Sequence, residues 1–220
     1  MTTIFVTASG TGVGKTFVAA RLLVELRAAG FGTCALKPVA TGFDETRLED
    51  CDSGRLLLAQ GEAATLAAVA AITPWRFAAP LSPDMAAARE GRAIPFEALL
   101  GFCRAPRGAD VTLIEGIGGV MVPLDAEHTV LEWIAALGAP ALLVAGSYLG
   151  TLSHTLTAAR VLRERGCPIA GVVVSESSEQ PVDAEETARV LARFVTAPVA
   201  VLPRTGRNPP PLLPLVTRYL

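Results

Sequence analysis

Six short, nearly continuous apolar runs recur along the chain, at Thr3–Ala8, Thr33–Val39, Val111–Ile114, Ala139–Ala145, Ile169–Val174 and Ala197–Leu202. An unbroken apolar run, unlike an alternating one, marks a strand covered on both faces. Between the runs, Thr16–Ala29, Leu131–Leu137, Thr151–Arg165 and Asp183–Phe194 carry apolar residues at helical spacing with glycine or proline stops nearby. Strand, helix, strand in succession requires right-handed crossovers and therefore a parallel sheet with helices packed on it. The alanine-rich stretch from Leu56 to Leu100 reads as mostly helical, with a break at Thr73–Pro83. The tail "NPPPLLPLVTRYL" is punctuated by proline and receives no assigned structure. With no internal repeat and no linker, one domain over residues 1–220 is expected.

Composition supports a folded core and narrows the partners. Apolar residues make up 51% of the 220-residue chain, enough for a large interior. A net charge of −2 leaves no basic stripe for nucleic acid and no Lys/Arg run for an anionic membrane, so a small-molecule partner is expected. Cys34, Cys51, Cys103 and Cys167 lack the close pairing of a zinc site and read as reduced thiols. The first residues lack the basic region of a targeting peptide, and no apolar stretch approaches membrane-spanning length; a soluble cytoplasmic protein is expected. All but two of the 19 basic residues are arginine, the exceptions being Lys15 and Lys37. Lysine kept in so arginine-rich a chain points to places where a compact, pKa-tunable ammonium is needed, unless codon bias merely spared two.

Lys15 belongs to "TASGTGVGKT", a glycine-rich loop after an apolar strand and before a helix. That is the setting of a phosphate-binding loop, where backbone N–H groups and the positive helix end face an anion. In this frame Gly12, Val13 and Gly14 wrap the β-phosphate, Lys15 reaches the β/γ oxygens, the Thr16 hydroxyl binds Mg²⁺ and Phe17 adjoins the nucleotide. The alternative is a glycine turn without a ligand. In "VTLIEGIGG", Glu115 follows a strand at the carboxyl edge where open α/β sheets bind ligands, and glycines keep the next turn clear. A simple turn acid is the plainer reading. Asp52 in "DCDSGRLLLAQ" is a second candidate carboxylate and also a good helix N-cap. Lys37 in "ALKPVATG" ends the second strand before a proline; a solvated surface lysine remains the alternative. "WRFAAPLSPDMAA" holds Ser82 between stiff X-Pro steps, or is only a helix break. His154 reads as structural.

Taken together, "FVTASGTGVGKT", "ALKPVATG", "FAAPLSPDMAAAREGR", "TLIEGIGGVMVPL", "LGTLSHTLTA" and "IAGVVVS" resemble the dethiobiotin synthetase family over nearly the whole chain. The resemblance implies a P-loop-containing three-layer αβα fold with a mostly parallel central sheet. It also implies ATP- and Mg²⁺-dependent closure of a cyclic urea from 7,8-diaminononanoate and CO₂ in biotin synthesis. A carbamate forms on one amine, takes the γ-phosphoryl group, and is attacked by the second amine. By position, Lys37 and Lys15 would be catalytic, and Thr16, Asp52 and Glu115 would hold Mg²⁺. Gly116, Ile117, Gly118, Ser175, Pro203, Arg204 and Thr205 would complete the nucleotide site. Thr41 and Ser82 would meet substrate, with Leu149, Gly150 and Ser153 lent by the neighbour in a homodimer.

Departures from the family pattern are visible as well. Ala8 stands where the family's loop has its leading glycine, and would be strained if that position needs a positive φ. Tyr148 replaces a lysine, Ser153 an asparagine, Ile117 a small residue, and Ser175 an asparagine that can read the adenine edge. Three rivals remain: a ParA/MinD-like ATPase switch, which should carry an extra early lysine in the loop; a cobyrinate-type amidotransferase synthetase domain, normally part of a longer chain; and a non-catalytic paralogue.

Overall fold

The computed structural model describes residues 2–178, 182–205 and 209–220. Its strands are β1 (Thr2–Ala8), β2 (Thr33–Leu36), β3 (Val39–Thr41), β4 (Trp75–Phe77), β5 (Val111–Glu115), β6 (Ala141–Ala145), β7 (Ile169–Ser175) and β8 (Val199–Leu202). Its helices are α1 (Lys15–Ala28), α2 (Asp52–Ala59), α3 (Leu66–Ile72), α4 (Pro83–Arg89), α5 (Phe96–Arg104), α6 (Val130–Leu137), α7 (Thr151–Glu164), α8 (Ala184–Leu191) and α9 (Leu213–Val216), the last continuing into a 3₁₀ turn. Six strands form one parallel sheet in the order β2-β5-β1-β6-β7-β8, so β1 sits mid-sheet with its carboxyl end at the centre of one edge. The sheet separates two apolar cores. Along β1, Ile4, Val6 and Ala8 enter one, while Phe5 enters the other and meets Trp133 edge-on with ring centroids 4.8 Å apart. Helix α1 buries Val18, Ala19, Leu22, Leu23 and Leu26, the spacing of a single helical face. The fold is the expected α/β three-layer arrangement.

Three local expectations need correction. The run Thr33–Val39 is not one strand: it breaks at Lys37–Pro38 into β2 of the main sheet and β3, which pairs with β4 in a small parallel sheet. Proline cannot donate to a ladder, and the chain leaves the sheet there, Lys37 N–H donating to Ile72 O at 3.1 Å. The break at Thr73–Pro83 accordingly contains a strand. The tail is also ordered where described: Leu212, Leu215 and Val216 are buried, and the Glu25 carboxylate accepts from the N–H groups of Leu212 and Leu213. Leu215 packs where Gly171 has no side chain, so the fit is tertiary and invisible to local propensity.

Candidate active site

The phosphate loop runs from the end of β1 to the start of α1. Gly12 and Gly14 adopt positive φ of 75° and 93°, which turns the backbone toward the helix N-terminus. A Cβ on Gly14 would strike the Ser175 side chain at the end of β7, so this glycine is required twice over. Ala8 carries no strain: no residue other than glycine has a positive φ among those described, and Ala8 is fully buried in β1. The following glycine turn docks on this loop. Val120 N–H donates to Ala8 O at 3.0 Å, and a Cβ on Gly119 would lie 3.3 Å from Gly10. Gly116 instead makes room for the Phe5 ring, 2.8 Å from its would-be Cβ. Of the glycines expected to clear a ligand, these two serve close packing.

Next to the loop lies a compact charged cluster. The Lys37 ammonium is 2.7 Å from Glu115 Oε1, 2.8 Å from the Gly116 carbonyl oxygen and 3.1 Å from Asp52 Oδ2. The Thr16 hydroxyl is 2.8 Å from Asp52 Oδ1 and 2.9 Å from Glu115 Oε1. Lys37 and Glu115 are closed to solvent, whereas the Asp52 side chain is 50% exposed and faces the opening. Burial works against the charge on Lys37, but Glu115 and Asp52 outweigh it and hold the ammonium's pKa above the usual lysine value. Asp52 is likewise kept ionised: burial opposes this, and Lys37 with the Thr16 hydroxyl brings its pKa below normal.

This cluster suits a small hard cation. Two carboxylates face one ammonium, the single Thr16 proton is shared between both carboxylates, and the buried Glu115 Oε2 has no hydrogen-bond partner among the described residues. No group of three or more His, Cys, Asp or Glu that could cage a metal occurs among them. Few protein oxygens beside a phosphate loop is the pattern for Mg²⁺, which retains waters and takes phosphate oxygens.

Lys15 is buried to 9% residual exposure and differs from Lys37 in having no hydrogen bond or ion pair among the described residues. Burial first, then the charge of Lys37, lowers its pKa to about 8. A polyanion placed in the loop would offset both penalties by favouring the ammonium.

A cavity of about 690 Å³ opens over these groups. Of the sequence-derived candidates it gathers Gly12, Val13, Gly14, Lys15, Thr16, Phe17, Lys37, Thr41, Asp52, Ile117, Gly118, Ser175 and Arg204, with Glu115 and Gly116 supporting Lys37 from behind. Pro203 and Thr205 flank Arg204 without lining the cavity. Ser82 is the N-cap position of α4, outside the cavity and without a side-chain cap bond. Leu149, Gly150 and Ser153 also lie outside it, Leu149 being 82% exposed. Asp52 is the first residue of α2, whose cap is Cys51, its sulfur accepting from Gly54 N–H at 3.4 Å. His154 contacts only structure, Nδ1 lying 2.9 Å from the Tyr148 hydroxyl. Sequence reasoning missed Thr11, Ala40, Arg55, Glu176, Ser177 and Ser178 in the lining. Arg55 was findable as the residue three after Asp52 on one helix, and the serines as the continuation of Ser175.

The family model described as "AAA domain" matches residues 2–207. An ATP-dependent dethiobiotin synthetase BioD of Acidiphilium cryptum is 49% identical, over 96% of this chain and 92% of that protein. Its counterpart from Methylobacterium nodulans is 46% identical, over 95% of this chain and 96% of the other. The chain belongs to the dethiobiotin synthetase family. Among solved structures, the cell division ATPase MinD of Pyrococcus furiosus superposes with a TM-score of 0.54 at 21% identity, over 93% of this chain and 84% of that one. MinD complexed with Mg-ADP from Pyrococcus horikoshii gives 0.53 at 20%, over 93% and 82%. These likenesses establish the fold, and the switch reading rests on nothing further. For a dethiobiotin synthetase family member, the cavity's division into a phosphate loop and a lysine-carboxylate cluster on its flank is the feature to explain.

Proposed function

We propose that the chain is an ATP-dependent dethiobiotin synthetase, a single-domain ligase that closes the cyclic urea of dethiobiotin from 7,8-diaminononanoate, CO₂ and ATP. The observation that carries this reading is the position of Lys37: an ammonium held charged by Glu115 and Asp52, beside Thr16 and the phosphate loop. The reaction needs an anionic carbamate brought in line with a terminal phosphoryl group, and such transfers depend on positioning and charge neutralisation rather than on a protein nucleophile.

In this scheme the loop amides and Lys15 grip the β- and γ-phosphates. Thr16, Asp52 and Glu115 would hold Mg²⁺, which when bound neutralises phosphate charge. One substrate amine takes up CO₂ as a carbamate, whose oxygens are oriented by Lys37 and the Thr41 hydroxyl. The carbamate oxygen attacks the γ-phosphorus, ADP leaves, and a carbamic-phosphoric anhydride results. The second amine then attacks the carbonyl carbon, phosphate departs and the ring closes. Glu115 keeps Lys37 aimed and ionised throughout. The base would lie toward Ser175 and Pro203–Thr205, where a serine hydroxyl supplies less discrimination than an amide.

A homodimer completes the site in this reading. The exposed Leu149 and its neighbours Gly150 and Ser153, which do not reach their own cavity, would wall the substrate cleft of a second copy. The reaction, on diffusible substrates, is proposed to run in the cytoplasm; no helix among the described residues is long and apolar enough to cross a membrane. Incubation with ATP, Mg²⁺, the diamine and isotope-labelled bicarbonate tests the reading. Mass detection of a urea carrying the label is expected, and a diamine recovered unchanged would contradict it.

A further inference from the structure

The cavity holds a cation that no step above uses. Arg55 lies on α2, three residues beyond Asp52, exposed and lining the same wall as Thr16, Phe17 and Asp52. Its guanidinium has no hydrogen bond or ion pair among the described residues. Its direction is set by the opposite face of the helix. Ser53 is buried with its hydroxyl 2.7 Å from that of Thr73, Leu56 and Leu57 are in the cores, and a Cβ on Gly54 would run into the Leu48 carbonyl oxygen. With that side locked, Asp52 and Arg55 are the residues α2 offers the cavity, about one helical turn apart.

The charge inventory indicates what Arg55 meets. Lys37 is matched by two carboxylates, and Lys15 opens α1 inside the phosphate loop, on the loop side of the cavity. Arg204, the other lining arginine, follows β8, and its backbone N–H donates to the Glu176 carboxylate, which puts it at the Ser175–Ser178 end of the cavity and away from α2. Arg55 is thus a permanently charged group on the α2 wall, beside Thr16 and Asp52, with no partner among the described residues, and its planar fork matches two oxygens of a phosphoryl group. We infer that Arg55 is a further catalytic residue that grips the terminal phosphoryl group of the bound nucleoside triphosphate and stabilises its transfer, acting as an arginine finger supplied within the chain. The inference rests on reading the cavity as the triphosphate site.

The test compares a non-hydrolysable ATP analogue with ADP, each with Mg²⁺, on wild type, Arg55→Ala and Arg55→Lys, with thermal unfolding to verify the fold. In Arg55→Ala the triphosphate analogue should lose about tenfold in affinity while ADP stays within about twofold, and kcat should fall by about a hundredfold or more at saturating ATP. Arg55→Lys, which keeps the charge and the stem, should fall between. A merely structural role would weaken both nucleotides together. Equal effects on ATP analogue and ADP, no effect on either, or a change confined to the KM of the diamine would overturn the assignment. Wild type that binds both nucleotides and an Arg55→Ala variant with unaltered discrimination would remove Arg55 and leave the proposed function standing. Wild type that binds neither would remove both.

Discussion

The ammonium of Lys37 lies 2.7 Å from Glu115 Oε1, with both side chains sealed from solvent by the end of β2 and the end of β5. The pair couples stability to chemistry. Lys37→Ala should abolish ring closure while ADP binding persists through the phosphate loop. Unchanged turnover would remove Lys37 from the mechanism. The same change strands a buried carboxylate, which destabilises by about 3–5 kcal/mol. Adding Glu115→Gln should restore much of that stability without restoring activity, as measured by denaturant unfolding in the presence of a chelator.

Lys15 makes nucleotide binding pH-dependent. Its pKa of about 8 in the free protein is below the unfolded value of 10.5, so holding it charged opposes folding most below pH 8. As pH rises from about 8 toward 10.5 the folded state sheds the proton first and the penalty fades. Phosphates beside Lys15 favour the ammonium and raise its pKa. Binding at a pH just above 8 should therefore take up a proton, and affinity should decline as pH rises further. Calorimetry in buffers of differing ionisation enthalpy reads the uptake. Its persistence in Lys15→Gln would assign it elsewhere.

Two alanines at the loop make opposite predictions. Gly14→Ala forces a side chain into φ 93° and against Ser175, and should eliminate nucleotide binding. Ala8→Gly relieves nothing, because Ala8 sits in ordinary strand geometry with its methyl buried. It should lower stability by about 1 kcal/mol without improving nucleotide affinity. Tighter binding in Ala8→Gly would show that the loop is strained after all.

Leu149 tests the shared site. Leu149→Asp should yield a monomer by sedimentation that binds ADP yet makes no urea. Mixing it with Lys37→Ala should recover activity, since one subunit supplies the intact cluster and the other the intact Leu149 segment. An active monomer would end the dimer proposal.

Much of the main sheet was legible because strands buried on both faces leave nearly continuous apolar runs, as Val111–Ile114 does within β5. The phosphate loop and Lys37 were legible for another reason: glycine and proline there mark where the backbone must turn at a strand end. The small β3–β4 sheet was not, since three-residue strands have no readable period. Nor was α9, which depends on Glu25 from α1 and on the gap left by Gly171. Cys51 displaced Asp52 as the helix cap, a shift of one residue that local preference for aspartate hides. Arg55 was overlooked in a chain where nearly every cation is arginine; its place three residues after Asp52 was the available signal, and the packing of the other face of α2 is what turns it to the cavity.

The central claim is that this cavity couples phosphoryl transfer to ring closure. Phosphate release from ATP with Mg²⁺ and bicarbonate, measured with and without 7,8-diaminononanoate while the urea is quantified in the same tube, tests it most directly. The account expects phosphate only with the diamine and in amounts equal to the urea formed. Phosphate release that ignores the diamine, or that proceeds without urea, would contradict it.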